Sequence, residues 1–582
     1  MKKYTKFTLV VVLAIASFLR LWKISEVPVS LFGDELDVGY HAYSILKTGR
    51  DYSGNFMPLH FQSLAEWRTP LYLYSSVPTV ALFGISPLGV RLPAASFGIL
   101  GVLGIYLLIK ELLSIATKRG DISIEGVAIL SAAILALSPW HIQYSRAAFE
   151  VTELFAFLIF GLYFFFRSLR ESKFLWVSVL LLTLTPWIYS TAKLFTPVLL
   201  LFLFIVWRKE ILCMTRMILV KGAIAGIIVG LPIAYSILFG GGTQRAAYTS
   251  VFTDPTIEPE VGTARFRDAV MATNLDLGYI PAPRQRLFHN KVTFWAENIS
   301  KNYLQSFSFD FLFEEGDSNL RHSIKGTGQF YKIEVIALVL GVVFFFTSKI
   351  DRRIKAFLIF WIIVGALPAE LTRDGGNHAT RLFIILPPLL FLISYGLIDL
   401  FSRLKGKIRF LLTSCYLLLI ALSFIFYQHT YWVHNPWDSE RWWHAGFKEA
   451  ILAVKEIDEQ YNKVIISMAG EPAWIFFAGL YQYPPDKWQR EFPIGNDVYV
   501  EGFGKVSHTD KFYFGTFNVE GKGLYDLDTY IDNKTLYLAL ASEIGANLIM
   551  EPERTPANLK LLKAIPYPSG EPAFYLFTQK TN

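Results

Sequence analysis

The chain has 582 residues, of which 53% are hydrophobic, 16% aromatic and 18% charged, with a formal charge of +7 and a mean hydropathy of +0.38. Apolar content at this level excludes an ordinary soluble domain and predicts a polytopic α-helical membrane protein. The basic residues lie in short clusters between apolar runs, which speaks for membrane topology and against nucleic acid as a partner.

Met1-Lys-Lys opens an apolar run with no small-residue cleavage site before Arg20 and Trp22, so it reads as a span rather than a removable leader. Apolar segments of near-spanning length follow at 7–22, 88–112, 127–142, 149–166, 174–189, 194–207, 217–239, 331–346, 356–371, 382–401 and 410–427, predicting about 11 spans. The segment 70–83 is apolar but short and carries Pro70 and Pro78. If it does not cross, Lys110/Lys118/Arg119, Arg167/Arg170/Lys173, Arg208/Lys209/Arg216/Lys221, Lys349/Arg352/Arg353/Lys355 and Arg403/Lys405/Lys407/Arg409 all share the cytoplasmic side with Lys2, Lys3 and Lys6. That orientation places outside the first loop 25–87, the turn around Arg146, the long segment 240–330 and everything after His429. Arg20 and Lys23 also fall outside, against the charge bias.

The expected organisation is a transmembrane domain over 1–429 and an extracytoplasmic α/β domain over 430–582. In the latter, 442–460, 471–481 and 535–544 have helical patterning, and 464–467, 512–517, 547–550 and 573–578 read as strands. No Gly-rich phosphate loop opens a helix there, so nothing signals a nucleotide. With only two cysteines, Cys213 and Cys415, the tail has no internal disulfide.

The chemistry concentrates in Leu31-Phe-Gly-Asp-Glu-Leu-Asp37, just beyond the first span, where Asp34, Glu35 and Asp37 crowd a helix start. Leu36, Tyr40 and Tyr43 recur at helical spacing, so the segment from Asp34 to about Leu46 reads as an amphipathic helix lying along the membrane, with Tyr40 toward a substrate cavity. A carboxylate beside apolar surface is poorly solvated, which strengthens it as a base toward a hydroxyl. The same pattern also fits a helix N-cap pair. A second carboxylate, Glu150, begins a later span at the same surface, four residues after Arg146, which either pairs with it or faces the cavity.

Arg68, Lys193 and Arg381 stand where apolar segments emerge on that side, and are candidates to bind a phosphate, or headgroup anchors. The segment 311–322, with His322, predicts a wall or lid over the site, and His378 joins it from another turn. Neither histidine sits in a recognisable metal-ligand spacing, so no metal and no other cofactor is expected. Trp67, Trp140 and Trp187 read as an interfacial aromatic belt.

In their order and positions, Gly33-Asp-Glu35, Arg68-Thr-Pro-Leu71, Gly89-Val-Arg-Leu-Pro-Ala94, Ser138-Pro139 leading to Glu150, and Arg381 before Leu386-Pro-Pro388 resemble the GT-C fold membrane glycosyltransferases. The resemblance is to the bacterial group that includes protein O-mannosyltransferases and the lipid A aminoarabinose transferase. It implies a hexosyl or pentosyl transferase in the cytoplasmic (inner) membrane that uses a polyprenyl-phosphate sugar donor. The acceptor would be a hydroxyl of a protein, a glycolipid or an envelope polysaccharide. Carried over, Asp34 is the catalytic carboxylate, Glu150 the second acidic residue facing the cavity and Arg68 the phosphate-binding cation, with Glu35 a further catalytic candidate beside Asp34. The family more often reads Lys-Pro-Pro-Leu where this chain has Arg68-Thr69-Pro70-Leu71, and Asp where it has Glu150. Some enzymes of this fold use a divalent metal with an acidic cluster, and the resemblance would give that role to Asp34, Glu35 and Glu150, as the alternative to a reaction without metal. The rival readings are a transporter or flippase of lipid-linked sugars, and a polysaccharide polymerase or ligase. A transporter would be expected to carry mid-membrane ionisable groups and two related halves.

Overall fold

The computed structural model describes residues 2–64, 67–117, 122–240, 248–274, 282–492 and 497–580; Lys118 and Arg119 lie outside the described residues. The chain opens with α1 (Lys2–Leu21), α2 (Gly33–Thr48), α3 (Leu71–Phe83), α4 (Pro87–Ala116), α5 (Ile124–Leu137), α6 (Pro139–Ser145), α7 (Val151–Ser168), α8 (Leu175–Leu184) and α9 (Ala192–Val206). Further apolar helices run over Arg216–Phe239, Glu334–Thr347, Arg352–Glu370, Leu386–Arg403 and Gly406–His429. Every apolar run anticipated as a span is therefore helical.

Among the described residues, six of these helical stretches have the length and apolarity of a full crossing, or seven if the pair α5–α6, bent by 59°, is one span. The stretches Ser172–Trp187, Ala192–Val206 and Glu334–Thr347 are shorter, and at 1.5 Å per residue they fall below the ~30 Å of a hydrocarbon core. Leu71–Phe83 is short too. Ile227, Ile228 and Leu231 on Arg216–Phe239, and Leu418, Ile425 and Phe426 on Gly406–His429, are exposed. Helices bare of packing on such faces require lipid around them.

The break between α5 and α6 has a local cause. Pro139 has no N–H, so the Leu135 carbonyl loses its helical donor, while the Ser138 side chain accepts from the His141 amide and caps α6. Arg20 of α1 fills the gap. Its guanidinium donates to Leu135 O at 3.2 Å, to Ala136 O at 3.1 Å and to Ala16 O at 3.2 Å, and lies 2.7 Å from His141 Nδ1. Arg20 is fully buried, so it is a packed part of the bundle and not an outer-surface charge. Trp140 is likewise in the core, donating to Ala379 O at 3.2 Å, and not in an interfacial belt.

A two-stranded ribbon, β1 (Phe61–Gln62) with β2 (Trp67–Arg68), lies in the first loop. The C-terminal region carries β3 (Lys463–Ile466), β4 (Asp497–Val500), β5 (Gly504–Thr509), β6 (Phe512–Phe514), β7 (Thr535–Leu540), β8 (Leu559–Pro566) and β9 (Pro572–Gln579). They form one seven-stranded sheet in the order β4-β5-β6-β3-β7-β9-β8, parallel where β3 meets β6 and β7 and antiparallel elsewhere. The helical reading of 535–544 fails because Thr535–Leu540 is the buried strand β7, where pairing on both sides overrides a leucine-rich helical pattern. The segment 547–550, expected as a strand, is a turn. The strands β4, β5 and β8 were not anticipated.

Helices Phe447–Ile457 and Ala473–Phe477 pack this sheet onto α2. Leu36, Tyr40, Ile451, Phe476, Phe512 and Phe574 belong to one continuous core. Tyr40 donates to Tyr483 O at 3.0 Å, and Gln489 donates to Ser44 Oγ, Thr48 Oγ1 and Asp51 O at 3.0, 3.0 and 2.8 Å. The C-terminal region thus fixes the rotation of α2, and with it the direction of the acidic side chains.

Candidate functional site

The N-cap of α2 is Phe32, without a side-chain cap, so neither Asp34 nor Asp37 has the capping role its position allowed. Successive residues on a helix point about 100° apart, and the three carboxylates of the first turns separate accordingly. Asp34 is half-buried and faces a cavity of about 210 Å³. Glu35 is fully buried and turned away from it. Both its oxygens accept from Arg91 of α4 at 2.8 Å, and Oε1 also accepts from the Ala148 amide at 2.9 Å.

Asp37 points inward. It accepts from Tyr52 Oη at 2.7 Å and from Arg68 Nη1 at 3.2 Å. Burial pushes the Asp37 carboxyl above the usual carboxylate range, against the opposing pull of Arg68 and hydrogen bonds from Tyr52 and Ser63. Beside it, His41 donates from Nε2 to Gln62 O at 3.1 Å and stacks on Tyr52 with centroids 3.8 Å apart. Burial drives the His41 imidazole down to about 3, so it is neutral.

The ribbon delivers Arg68 from β2 into this cluster. Nη1 also donates to Asp34 O at 3.1 Å, and Nη2 makes a short ion pair with Glu150, the residue preceding α7. The guanidinium therefore joins α2 to α7 across the floor of the cavity. Asp34, Arg68 and Glu150 line it together, with Arg321, His322 and His378 opposite in the wall. Arg321 stacks over Phe32, 5.0 Å from the ring centroid. The Glu471 carboxyl, from the C-terminal region, is held below the usual range first by its hydrogen bond from His444, with Arg321 adding to the effect.

Five of the ten residues singled out in the sequence meet at this cavity: Asp34, Arg68, Glu150, His322 and His378. The other five do not line it. Glu35 is engaged by Arg91, and Tyr40 packs against the C-terminal region. Arg146 is buried, donating to Tyr431 Oη, Leu19 O and Val27 O at 2.9, 2.8 and 2.8 Å, and so does not pair with Glu150. Lys193 lies 3.1 Å from His60 Nε2. Arg381 binds Asp374 Oδ1 and Thr372 Oγ1, both at 2.7 Å.

Arg321, Tyr189 and Thr380 of the lining were missed. Arg321 carried the same signal as the chosen cations, a charge in an outer segment next to a span, and adjoins His322. The expectation of no metal rested on spacing along the chain. The fold nonetheless gathers Asp317, His322 and His378, with one ligand atom of each within 4.8 Å of the others. A larger cavity of about 550 Å³ opens between Ser30, Pro87, Lys448 and Tyr567, where Glu449 is the one carboxylate among the described residues. It lacks the carboxylate–arginine constellation.

No protein-family model and no curated protein matches the chain. Among solved structures, ArnT from Cupriavidus metallidurans bound to undecaprenyl phosphate aligns over 98% of this chain and 97% of its own, at 11% identity and a TM-score of 0.50. The Archaeoglobus fulgidus oligosaccharyltransferase in complex with Zn and sulfate aligns over 81% of this chain, at 15% identity and a TM-score of 0.47. The chain spans 61% of that protein's length. The Saccharomyces cerevisiae Pmt1-Pmt2 O-mannosyltransferase complex bound to the sugar donor aligns over 40% of this chain and 33% of its own, at 20% identity and a TM-score of 0.30. These neighbours are GT-C fold enzymes, and the near-complete mutual coverage with ArnT gives this chain the GT-C fold, a helical membrane body with a C-terminal sheet region.

Proposed function

We propose that this chain is an integral-membrane glycosyltransferase that moves a sugar from a polyprenyl-phosphate donor to an acceptor hydroxyl on the outer face of the cytoplasmic membrane. The observation that carries the reading is the convergence of the Asp34 carboxylate, the Arg68–Glu150 pair and Arg321 on one cavity. The binding of undecaprenyl phosphate by ArnT supports a polyprenyl phosphate as the carrier.

Asp34 orients the acceptor hydroxyl and takes its proton as the oxygen attacks the anomeric carbon, with inversion. The bond from that carbon to the phosphate oxygen breaks, and the electron pair leaves with the lipid phosphate. Positive charge develops on the sugar ring as in glycoside cleavage, and the carboxylates of Asp34 and Glu150 stabilise it. Arg321 supplies a cation for the departing phosphate. Arg68 shares that field, but its contacts to Asp37 and Glu150 make it first the group that holds the two carboxylate-bearing helices in register. Glu35, Lys193 and Arg381 act outside the transfer step. The acceptor is a hydroxyl of a protein, a glycolipid or a polysaccharide.

The test is transfer of radiolabelled sugar from a polyprenyl-phosphate donor by purified protein. Asp34→Asn is expected to abolish transfer while leaving the protein folded. A wild-type rate in that variant overturns the assignment and favours a transporter of the same lipid.

A further inference from the structure

The cavity of about 550 Å³ takes no part in the transfer chemistry. Separate parts of the chain enclose it. Leu31 comes from the segment between α1 and α2, Ile85 from the turn between α3 and α4, Lys448 from the start of the helix Phe447–Ile457, and Lys563 from β8. Ser30 and Leu31 line this cavity, whereas Phe32 and Asp34 line the other. One short stretch of chain is thus the wall between the two.

α1 ends at Leu21 and α4 begins at Pro87, and both have the length and apolarity of a full crossing. The cavity therefore lies at one end of the bundle, where hydrocarbon gives way to lipid headgroups. Trp22, exposed and stacked on Phe18 with centroids 5.4 Å apart, stands at that level as an interfacial anchor. Leu82 and Phe83 are bare at the end of α3, and Ile85 of the cavity follows at once. With Val29, Leu31 and Ile565 it makes an apolar wall. The C-terminal region adds charge. Among the described residues no carboxylate pairs with Lys448, and Lys563 Nζ is 3.9 Å from Glu456 Oε2, at the edge of ion-pair distance. Two lysines against Glu449 leave the lining net positive.

We propose that this cavity binds the headgroup of one anionic phospholipid from the surrounding leaflet, its phosphate taken by Lys448 and Lys563 and its chains leaving past Leu82 and Phe83. An apolar wall beside the bilayer, facing two ammonium groups, is the complement of an amphiphile that carries a phosphate. The volume falls within the about 300–1,000 Å³ of small-molecule pockets, which are mostly apolar with a few placed polar groups. Basic pockets at the end of a helical bundle hold lipid headgroups by the same chemistry. The net positive lining selects a headgroup of net negative charge over a zwitterion. Bound there, the lipid ties the C-terminal region to the membrane body on the side of the Ser30–Asp34 stretch away from Asp34. The site does not depend on the transferase reading.

The experiment uses the full chain, stripped of lipid in detergent and titrated with phosphatidylglycerol, phosphatidylethanolamine or free glycerol 3-phosphate, read by native mass spectrometry and thermal midpoint. One tightly held phosphatidylglycerol per chain is expected, with a saturable rise in midpoint, weaker retention of phosphatidylethanolamine and no effect of glycerol 3-phosphate. Lys448→Ala and Lys563→Ala are each expected to weaken binding about 5-fold, and together about 30-fold. Lys534→Ala, in the same region but outside the cavity, keeps the wild-type affinity. Ser25→Trp, at an exposed position of the lining, fills the cavity and blocks binding. Equal retention of phosphatidylethanolamine, an equal response to glycerol 3-phosphate, or wild-type affinity in the double lysine variant or in Ser25→Trp overturns the site. Should these variants fail to fold, a phosphatidylglycerol with a photoactivatable headgroup decides on the wild type. Crosslinks to residues 445–449 or 563–568 support the site, and crosslinks confined to other segments overturn it.

Discussion

Asp34 and Glu35 are neighbours on α2 that serve opposite sides of it. Asp34 looks into the cavity it shares with Arg68 and Glu150, whereas Glu35 is clamped by Arg91, with both of its oxygens 2.8 Å from the guanidinium. Arg91 also donates to Ile24 O and Pro28 O at 3.1 and 2.9 Å. The Glu35–Arg91 pair is thereby a buried bracket between the first loop, α2 and α4.

The two positions should therefore separate activity from stability. Asp34→Asn is expected to cut the transfer rate by about 10²–10⁴-fold, the span of general base catalysis, with little change in thermal midpoint. Glu35→Gln leaves Arg91 buried and uncompensated, a loss of about 3–5 kcal/mol. Thermal unfolding in detergent and single-turnover transfer, measured on both variants, check this crossing.

Arg68 bridges Asp37 and Glu150 in nearly full burial. Arg68→Ala is expected to lower stability by about 3–5 kcal/mol, because it leaves two buried carboxylates facing each other. Glu150→Gln should cost less, since Asp37 still answers the guanidinium. Their combination should destabilise by less than the sum, by about 0.5–3 kcal/mol of coupling. A double-mutant cycle on the unfolding midpoint reads this directly, and additive losses would contradict the bridge.

Acid should loosen the first loop through His41. Its folded value is about 3, driven down by burial, against an ordinary value near 6.5. Between the two, the unfolded chain holds a proton that the folded chain does not, so folding is at full strength above about pH 6.5 and weakens as the pH falls toward 3. The slope is about 1.4 kcal/mol per pH unit, or about 2 kcal/mol at pH 5. Thermal midpoints between pH 7 and pH 5 should show this fall, and His41→Gln should flatten it.

The helices were legible because lipid demands long apolar runs, and Asp34, Arg68 and Glu150 because charges at span ends stand out against them. Pairing was not legible. Arg146 stands four residues before Glu150 and reads as its partner, but the true partner is Arg68, 82 positions away. Asp317 and His378 are brought together from 61 positions apart, by a fold that spacing rules along the chain do not see. The strand β7 was misread for the same reason, since its identity depends on neighbours at β3 and β9.

Arg20 offers a further test inside the bundle. Arg20→Met should leave the carbonyls of Leu135 and Ala136 without their side-chain donor, at about 1–3 kcal/mol for each unsatisfied group. Arg20→Lys, with a single ammonium in place of a planar fork, should restore only part of the loss. Unfolding midpoints of the two variants check the order wild type, lysine, methionine.

The same contact sets a sequence of events during biogenesis. Hydrocarbon offers no substitute donor for a bare peptide oxygen, so the bent pair α5–α6 that ends at Ser145 cannot come to rest in the bilayer until the leading segment is already beside it. Synthesis from the amino terminus supplies that segment first. A ribosome-released chain lacking its opening twenty residues should stall as a protease-sensitive insertion intermediate, even though every residue that lines the Asp34 cavity is still encoded in it.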